Sequence, residues 1–214
     1  MPVNAPNEWS ELREWLAARI TLVDLTEFSH LDRVRLSRSS SALAPALDEG
    51  RDSHLAAAAV RGELERGGGA PRADDILRTY LAIALAARSA EARTRTPGGA
   101  LALTDPDQLA ECRALADEIL TLTPHPELIA FATDLRHRVE RARRWRWVEP
   151  DVWTAALVGL AVLVLPFVGG AVDDPAVTAA GVLVGASLVF GFVVAHRKRQ
   201  WAVDAEAASR RGSV

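Results

Sequence analysis

Residues 152–195 read VWTAALVGLAVLVLPFVGGAV, then Asp173-Asp174, then PAVTAAGVLVGASLVFGFVVA. Two uncharged stretches of 21 residues each, 152–172 and 175–195, are parted only by the two aspartates. A helix rises ~1.5 Å per residue, so each stretch reaches roughly 30 Å, the depth of a bilayer's hydrocarbon core. The pattern predicts a two-helix transmembrane hairpin with a very short turn.

Charge on either side gives an orientation. Arg136, Arg138, Arg141, Arg143, Arg144 and Arg146 precede the first stretch, and Arg197, Lys198 and Arg199 follow the second. The turn holds two acids and no base. Short loops rich in Lys and Arg stay in the cytoplasm. The expectation is a multi-pass protein of the cell (inner or plasma) membrane with both termini cytoplasmic and the acidic turn outside. Four of the six tryptophans, Trp145, Trp147, Trp153 and Trp201, lie near the same edge. Indole rings favour the headgroup level, where one side is apolar and the other wet. The residues expected at the membrane interface are therefore Arg141, Arg143, Arg144, Trp145, Arg146, Trp147, Trp153, Arg197, Lys198, Arg199 and Trp201.

Inside the spans the side-chain polar groups are those of Thr154, Thr178, Ser187 and the indole of Trp153. Carriers and proton relays need ionisable groups at membrane depth, and these spans have none. Small residues recur instead at four-residue steps. Ala155 and Gly159, Gly181 and Gly185, and Ser187 and Gly191 are spaced for close approach of helix backbones and for self-association. Pro166, followed by Gly169-Gly170, is expected to kink or end the first span.

The 214 residues suffice for one domain of about 145 residues plus the hairpin. The formal charge of −3 conceals a gradient. Residues 1–135 carry 14 basic and 21 acidic side chains, a net −7, and residues 136–149 carry 6 and 2, a net +4. An acidic body is repelled by nucleic acid and by anionic lipid, so no nucleic-acid partner is expected. The basic collar suits a lipid surface. The organisation read from these shifts is an acidic cytoplasmic helical domain at 1–135, a basic, Trp-rich juxtamembrane collar at 136–150, the hairpin at 151–195, and a short basic tail at 196–214. One cysteine, Cys112, cannot form an internal disulfide, which suits a reducing compartment. Residues 1–10 are polar and lack the basic start and apolar run of a signal peptide, so insertion is expected to depend on the hairpin. Twenty-four of the 25 basic residues are Arg, a bias expected of a GC-rich bacterial genome.

Before residue 150, helical spacing dominates and no strand alternation stands out. Trp9, Leu12, Leu16, Ile20 and Val23 predict a helix with one buried face, capped by Asn7 or Ser10. Leu25, Phe28, Leu31 and Val34 predict a second, short one. Residues 37–41 read as a polar break. Residues 54–65 predict an Ala-rich helix ended by Gly67-Gly68-Gly69. Asp74 or Asp75 is expected to open a central helix through Ile76, Leu77, Tyr80, Leu81, Ile83, Ala84 and Leu85. Pro97-Gly98-Gly99 reads as a loop. Thr104-Asp105-Pro106-Asp107 starts a helix lined by Leu109, Cys112, Leu115, Ile119 and Leu122. The next begins near Pro126, carries Leu128, Ile129, Phe131, Ala132, Leu135 and Val139, and runs into the collar as far as Glu149-Pro150. The fold expected is all-α: a cytoplasmic bundle of five or six helices followed by the hairpin.

No chemistry-bearing motif stands out. His30, His54, His125, His137 and His196 keep no metal-ligand spacing. The run 67–70 lacks the Lys-Ser or Lys-Thr of a phosphate loop. Asp48, Glu49, Asp52 and His54 read as a solvated loop, and Cys112 as packing on an apolar face. No catalytic, cofactor or metal site is expected. The function expected is that of a membrane-anchored, non-enzymatic interaction or regulatory module. Its partners would be the lipid bilayer and a cytoplasmic protein, with self-association through the small-residue faces. The alternative is a triggered effector whose hairpin self-assembles and perturbs the membrane.

Overall fold

The computed structural model describes residues 8–20, 23–48, 50–96, 99–123, 125–171 and 175–211. Nine α-helices and two short two-stranded ladders lie among them, so the class is all-α. The chain forms two compact units. The first joins Met1–Arg143 to Trp201–Val214, and the second is Arg144–Gln200.

In the first unit, α1 (Glu8–Ile20) opens with Glu8 and Glu11 and closes with Arg19, matching the helix dipole at both ends. Trp9 and Leu16 are its buried residues. Ser10 falls inside the helix and so is not its cap; Asn7 lies outside the described residues. A 3-10 turn at Leu25–Glu27 is capped by Asp24, whose carboxylate accepts from the Thr26 N–H at 2.9 Å. Then α2 (His30–Asp48) runs straight through residues 37–41, where a break was expected. Serine costs only a few tenths of a kcal/mol in a helix, which packing easily outweighs. Here Leu36, Leu43, Ala46 and Leu47 are buried on either side of the serines, and the Ser40 hydroxyl bonds back to the Ser37 carbonyl at 3.0 Å. The short helix expected at Leu25 to Val34 is thus the 3-10 turn plus the start of α2.

Next come α3 (Ser53–Arg66), ended by Gly67 at φ +62°, and α4 (Pro71–Glu91). Pro71, which needs no N–H in the first turn, starts α4 three residues before Asp74. Every residue from Tyr80 to Ala87 is buried, and α4 touches α1, α2, α3, α5 and α6. It is the core's axis. β1 (Thr94–Arg95) and β2 (Leu101–Ala102) then pair antiparallel, a ladder the sequence reading did not expect. α5 (Pro106–Leu122) is capped by Asp105, which accepts from the Asp107 N–H at 2.7 Å. α6 (Pro126–Arg143) buries Leu128, Ala132, Leu135, Val139 and Ala142. The pairs α5–α6, α3–α4, α2–α3 and α4–α5 all pack together.

The collar expected from residue 136 is therefore split. Residues 136–143 are the last two turns of α6, whose Val139 and Ala142 are buried in the first unit. The helix stops at Arg143 and does not run to Glu149. The second unit follows as β3 (Trp145–Trp147), α7 (Val152–Ala171), α8 (Pro175–Ala195) and β4 (Arg197–Arg199). α7 and α8 pack on each other, and α7 continues past residue 166. The turn expected at Asp173-Asp174 lies outside the described residues, as do Glu49 and Pro97-Gly98. The tail forms α9 (Gln200–Arg211), and its Trp201 packs on the first unit's core.

Candidate functional site

The second unit is built from helices that are apolar all round, with mean hydropathy 2.3 along α8. Among the described residues α8 is the helix long and apolar enough to cross a membrane; the apolar run of α7, Val152–Val164, is shorter. A core helix of a soluble protein with this composition would be mostly buried. α8 is not: only 11% of its most apolar window is buried. Leu183 is 69% exposed and Phe190 72% exposed. On α7, Leu157, Leu160, Leu163 and Phe167 are likewise exposed. Among the described residues, fifteen large apolar side chains of the two helices face outward. At about 1.5–3 kcal/mol each, covering them is worth more than the roughly 5–15 kcal/mol by which a domain is stable.

A ribbon joins the outer ends of the pair. β3 and β4 run antiparallel with Trp145 opposite Arg199, Arg146 opposite Lys198 and Trp147 opposite Arg197. The ladder is extended at both ends: the Val148 N–H donates to the His196 carbonyl at 2.9 Å, and the Gln200 N–H to the Arg144 carbonyl at 3.0 Å. Cross-strand partners share a face. One face thus carries Trp145, Trp147, Arg197 and Arg199, and the other Arg146 and Lys198. The Arg199 guanidinium lies 4.3 Å from the Trp145 ring centroid, a cation–π contact. Trp147 meets Phe192 edge-on at 6.3 Å and His196 at 6.1 Å. The His196 Nδ1 is 2.8 Å from the Phe192 carbonyl. Even so, Trp145 and Trp147 remain exposed, and Trp153 more so.

Of the small residues singled out in the sequence, Gly185 is buried, and a Cβ there would stand 3.9 Å from the Val162 Cα of α7. This is the close approach between the two helices. Gly181 and Ala155 are half-buried. Gly159 and Gly191 face open space. Ser187 is exposed, its hydroxyl bonded to the Leu183 carbonyl at 2.8 Å. Of the expected interface residues, Arg144, Trp145, Arg146, Trp147, Trp153, Arg197, Lys198 and Arg199 fall in the second unit. Arg141 and Arg143 end α6 in the first, and Trp201 is packed on the first unit's core.

Comparison with protein-family models, with curated proteins and with solved structures finds no match. The site must be read from its own geometry.

Several features of the first unit hold titratable groups. Arg35 is buried beneath the 67–70 loop. It donates to the Glu63 carbonyl at 2.8 Å and to Asp74 at 2.9 Å, with Asp32 3.6 Å away. Asp32 in turn accepts from the Ala70 N–H at 3.2 Å. The network ties α2 to the start of α4. A cleft of about 310 Å³ is lined by Glu8, Trp15, Arg93, Phe131, Asp134 and Arg138 among others. Burial works against charge on Glu8, yet the Leu101 N–H and Arg138 outweigh it and hold this carboxyl below its ordinary value. A second cleft, about 450 Å³, lies between Glu27, Arg72, Asp75 and His125; Glu27 and Arg72 are paired at 2.8 Å. Among the described residues, no group of three His, Cys, Asp or Glu converges to hold a metal ion. Cys112 is wholly buried; burial, against the pull of Arg93, pushes its thiol up to about 11, far from a nucleophile's range. His54 is exposed at the mouth of a small cleft with Arg88, Glu91 and Glu111.

The ribbon is what sequence reasoning missed. Its signal was the period-two alternation Trp145-Arg146-Trp147, too short to stand out without its partner 50 residues on.

Proposed function

We propose that this chain is a non-enzymatic, membrane-anchored interaction or regulatory module. The helical first unit binds a cytoplasmic protein, and the second unit holds that partner at the cell membrane as a two-span hairpin. The observation that carries the membrane half is the outward apolar surface of α8, with 11% of its most apolar window buried. One further point supports two spans over one. Trp201, beyond α8, packs on a core made by residues before α7. If α8 crosses a bilayer, the chain returns to that core only if α7 crosses too. The basic ribbon, joining both outer ends of the pair, supports a cytoplasmic placement of those ends.

A second reading has its own support. Gly159 and Gly191 open onto empty space, where a second copy's helices could approach closely. Under this reading the hairpin self-assembles and perturbs the bilayer.

One experiment addresses both. A photo-crosslinking residue placed at Leu31 or Leu55, exposed positions of the first unit, is activated in native membranes and the captured protein identified. The same is done after residues 152–195 are replaced by an unrelated pair of spans. Capture of one discrete partner that survives the replacement supports the anchor. Capture of the chain's own copies alone, lost on replacement together with depolarisation of the host membrane, moves the reading to the effector. Release of the whole chain from membranes by alkaline carbonate ends both.

A further inference from the structure

We propose that the β3–β4 ribbon is a binding site for anionic phospholipid headgroups, and that this site selects the lipid around the protein; the inference rests on the membrane reading of α7 and α8. It starts from the register. Arg146 stands directly opposite Lys198. Like charges directly opposite one another on a ladder weaken it. A phosphodiester set between them would meet both cations at once. Arginine suits the role, since its planar fork grips two phosphate oxygens at once.

The surroundings add to this. Residues 144–146 and 197–199 contribute five cations, and neither strand contains a carboxylate. The second face adds Arg197 and Arg199 beside two exposed indoles, and indoles hold their place at headgroup depth. Position agrees with chemistry. β4 starts two residues after α8 ends, and β3 ends five residues before α7 begins. A three-residue strand covers roughly 10 Å. The headgroup layer on each side of the hydrocarbon is about 5–8 Å deep. A ribbon set at the end of apolar helices therefore lies where lipid phosphates lie. The sequence pattern alone provides a positive edge; the ladder turns it into paired cations on a defined face.

The test uses the full chain reconstituted in vesicles that mix phosphatidylglycerol with phosphatidylcholine, one of the two carrying brominated acyl chains. Quenching of tryptophan fluorescence by each brominated lipid gives their relative occupancy next to the protein. At low salt the wild type should favour phosphatidylglycerol by at least about 25-fold, roughly fivefold for each of Arg146 and Lys198. The preference should fall as ionic strength rises. The double variant Arg146→Gln, Lys198→Gln, at an exposed and a half-buried position of the ribbon, should lose roughly fivefold per charge removed, from a contribution of about 1 kcal/mol per basic residue near an anionic surface. The variant Arg146→Lys, Lys198→Arg should keep it. Equal quenching by both lipids in the wild type, or a double variant with unchanged preference, overturns the headgroup site and leaves the membrane reading standing. Inorganic phosphate that abolishes the preference where chloride at equal ionic strength does not assigns the site to free phosphate and overturns it as well. Absence of quenching by either lipid fails the membrane reading itself.

Discussion

Gly50 is held at φ +67° with the Trp9 indole beneath it, and a Cβ there would lie 2.3 Å from the ring's Cζ2. Trp9 is buried with Ala90 and Leu101 and has no room to retreat. Gly50→Ala therefore adds both a left-handed backbone penalty and a steric one, together about 2–5 kcal/mol. Gly62 is the control. It sits within α3 with nothing near its missing Cβ, and Gly62→Ala should stabilise by about 0.5–1 kcal/mol. Urea unfolding followed by circular dichroism, with the slope unchanged, measures both; equal shifts for the two variants would remove the argument. Glu8 provides the acid limb. Its carboxyl is depressed in the folded chain, so the stability it adds is complete above its ordinary value of 4.5 and drains as pH falls below that. Glu8→Gln should flatten unfolding stability against pH in that window and leave its shape above pH 6 alone. At this scale the sequence was partly legible. The Asp105-Pro106 cap of α5 could be read because a cap needs only its local neighbours. The Glu8–Leu101–Arg138 network could not, since its members are up to 130 residues apart and meet through packing alone.

Among the elements, α7 and α8 depend on Gly185, where backbone comes within van der Waals reach of Val162. Alanine fits that gap and leucine does not. Gly185→Leu should push the helices apart and lower the unfolding midpoint of the chain in mild detergent. Gly159→Leu and Gly191→Leu should leave it unchanged, because both face open space. Lipid is as apolar as leucine, so only lost packing can produce such a difference. Equal midpoints for all three variants would refute the close approach. Most helices of the first unit were legible because each buries one stripe of its own sequence, and period is a local property. α2 was misjudged where Leu36 and Leu43 override the serines between them. The strands were illegible for a different reason. β3 is three residues long, and pairing with β4 makes it a strand. Its state depends on a partner beyond two helices.

For the molecule as a whole, the decisive fact is that the first unit is discontinuous. Residues on both sides of the helix pair build it, and Trp201 packs on the core formed before α7. Composition suggested four consecutive segments, but contacts join the last segment to the first, and a linear reading of charge cannot reveal that. On the membrane reading proposed above, a discontinuous unit constrains topology without any appeal to charge: its two parts would share one side of the bilayer, so the spans between them would be even in number. On that reading α8 is one span and α7 the other. On the same reading charge picks the side: the basic ribbon argues for a cytoplasmic first unit. In a Cys112→Ala background, single cysteines at His54, Asp173 and Glu206 should separate into two classes. A membrane-impermeant maleimide added outside intact cells should label the one at 173 and spare those at 54 and 206. All three should react after permeabilisation. Labelling of 54 and 206 with 173 spared would invert the orientation and keep the two spans. Labelling of only one of 54 and 206 would put the two parts of the first unit on opposite sides, which its shared core forbids, and would leave α8 as a lone span.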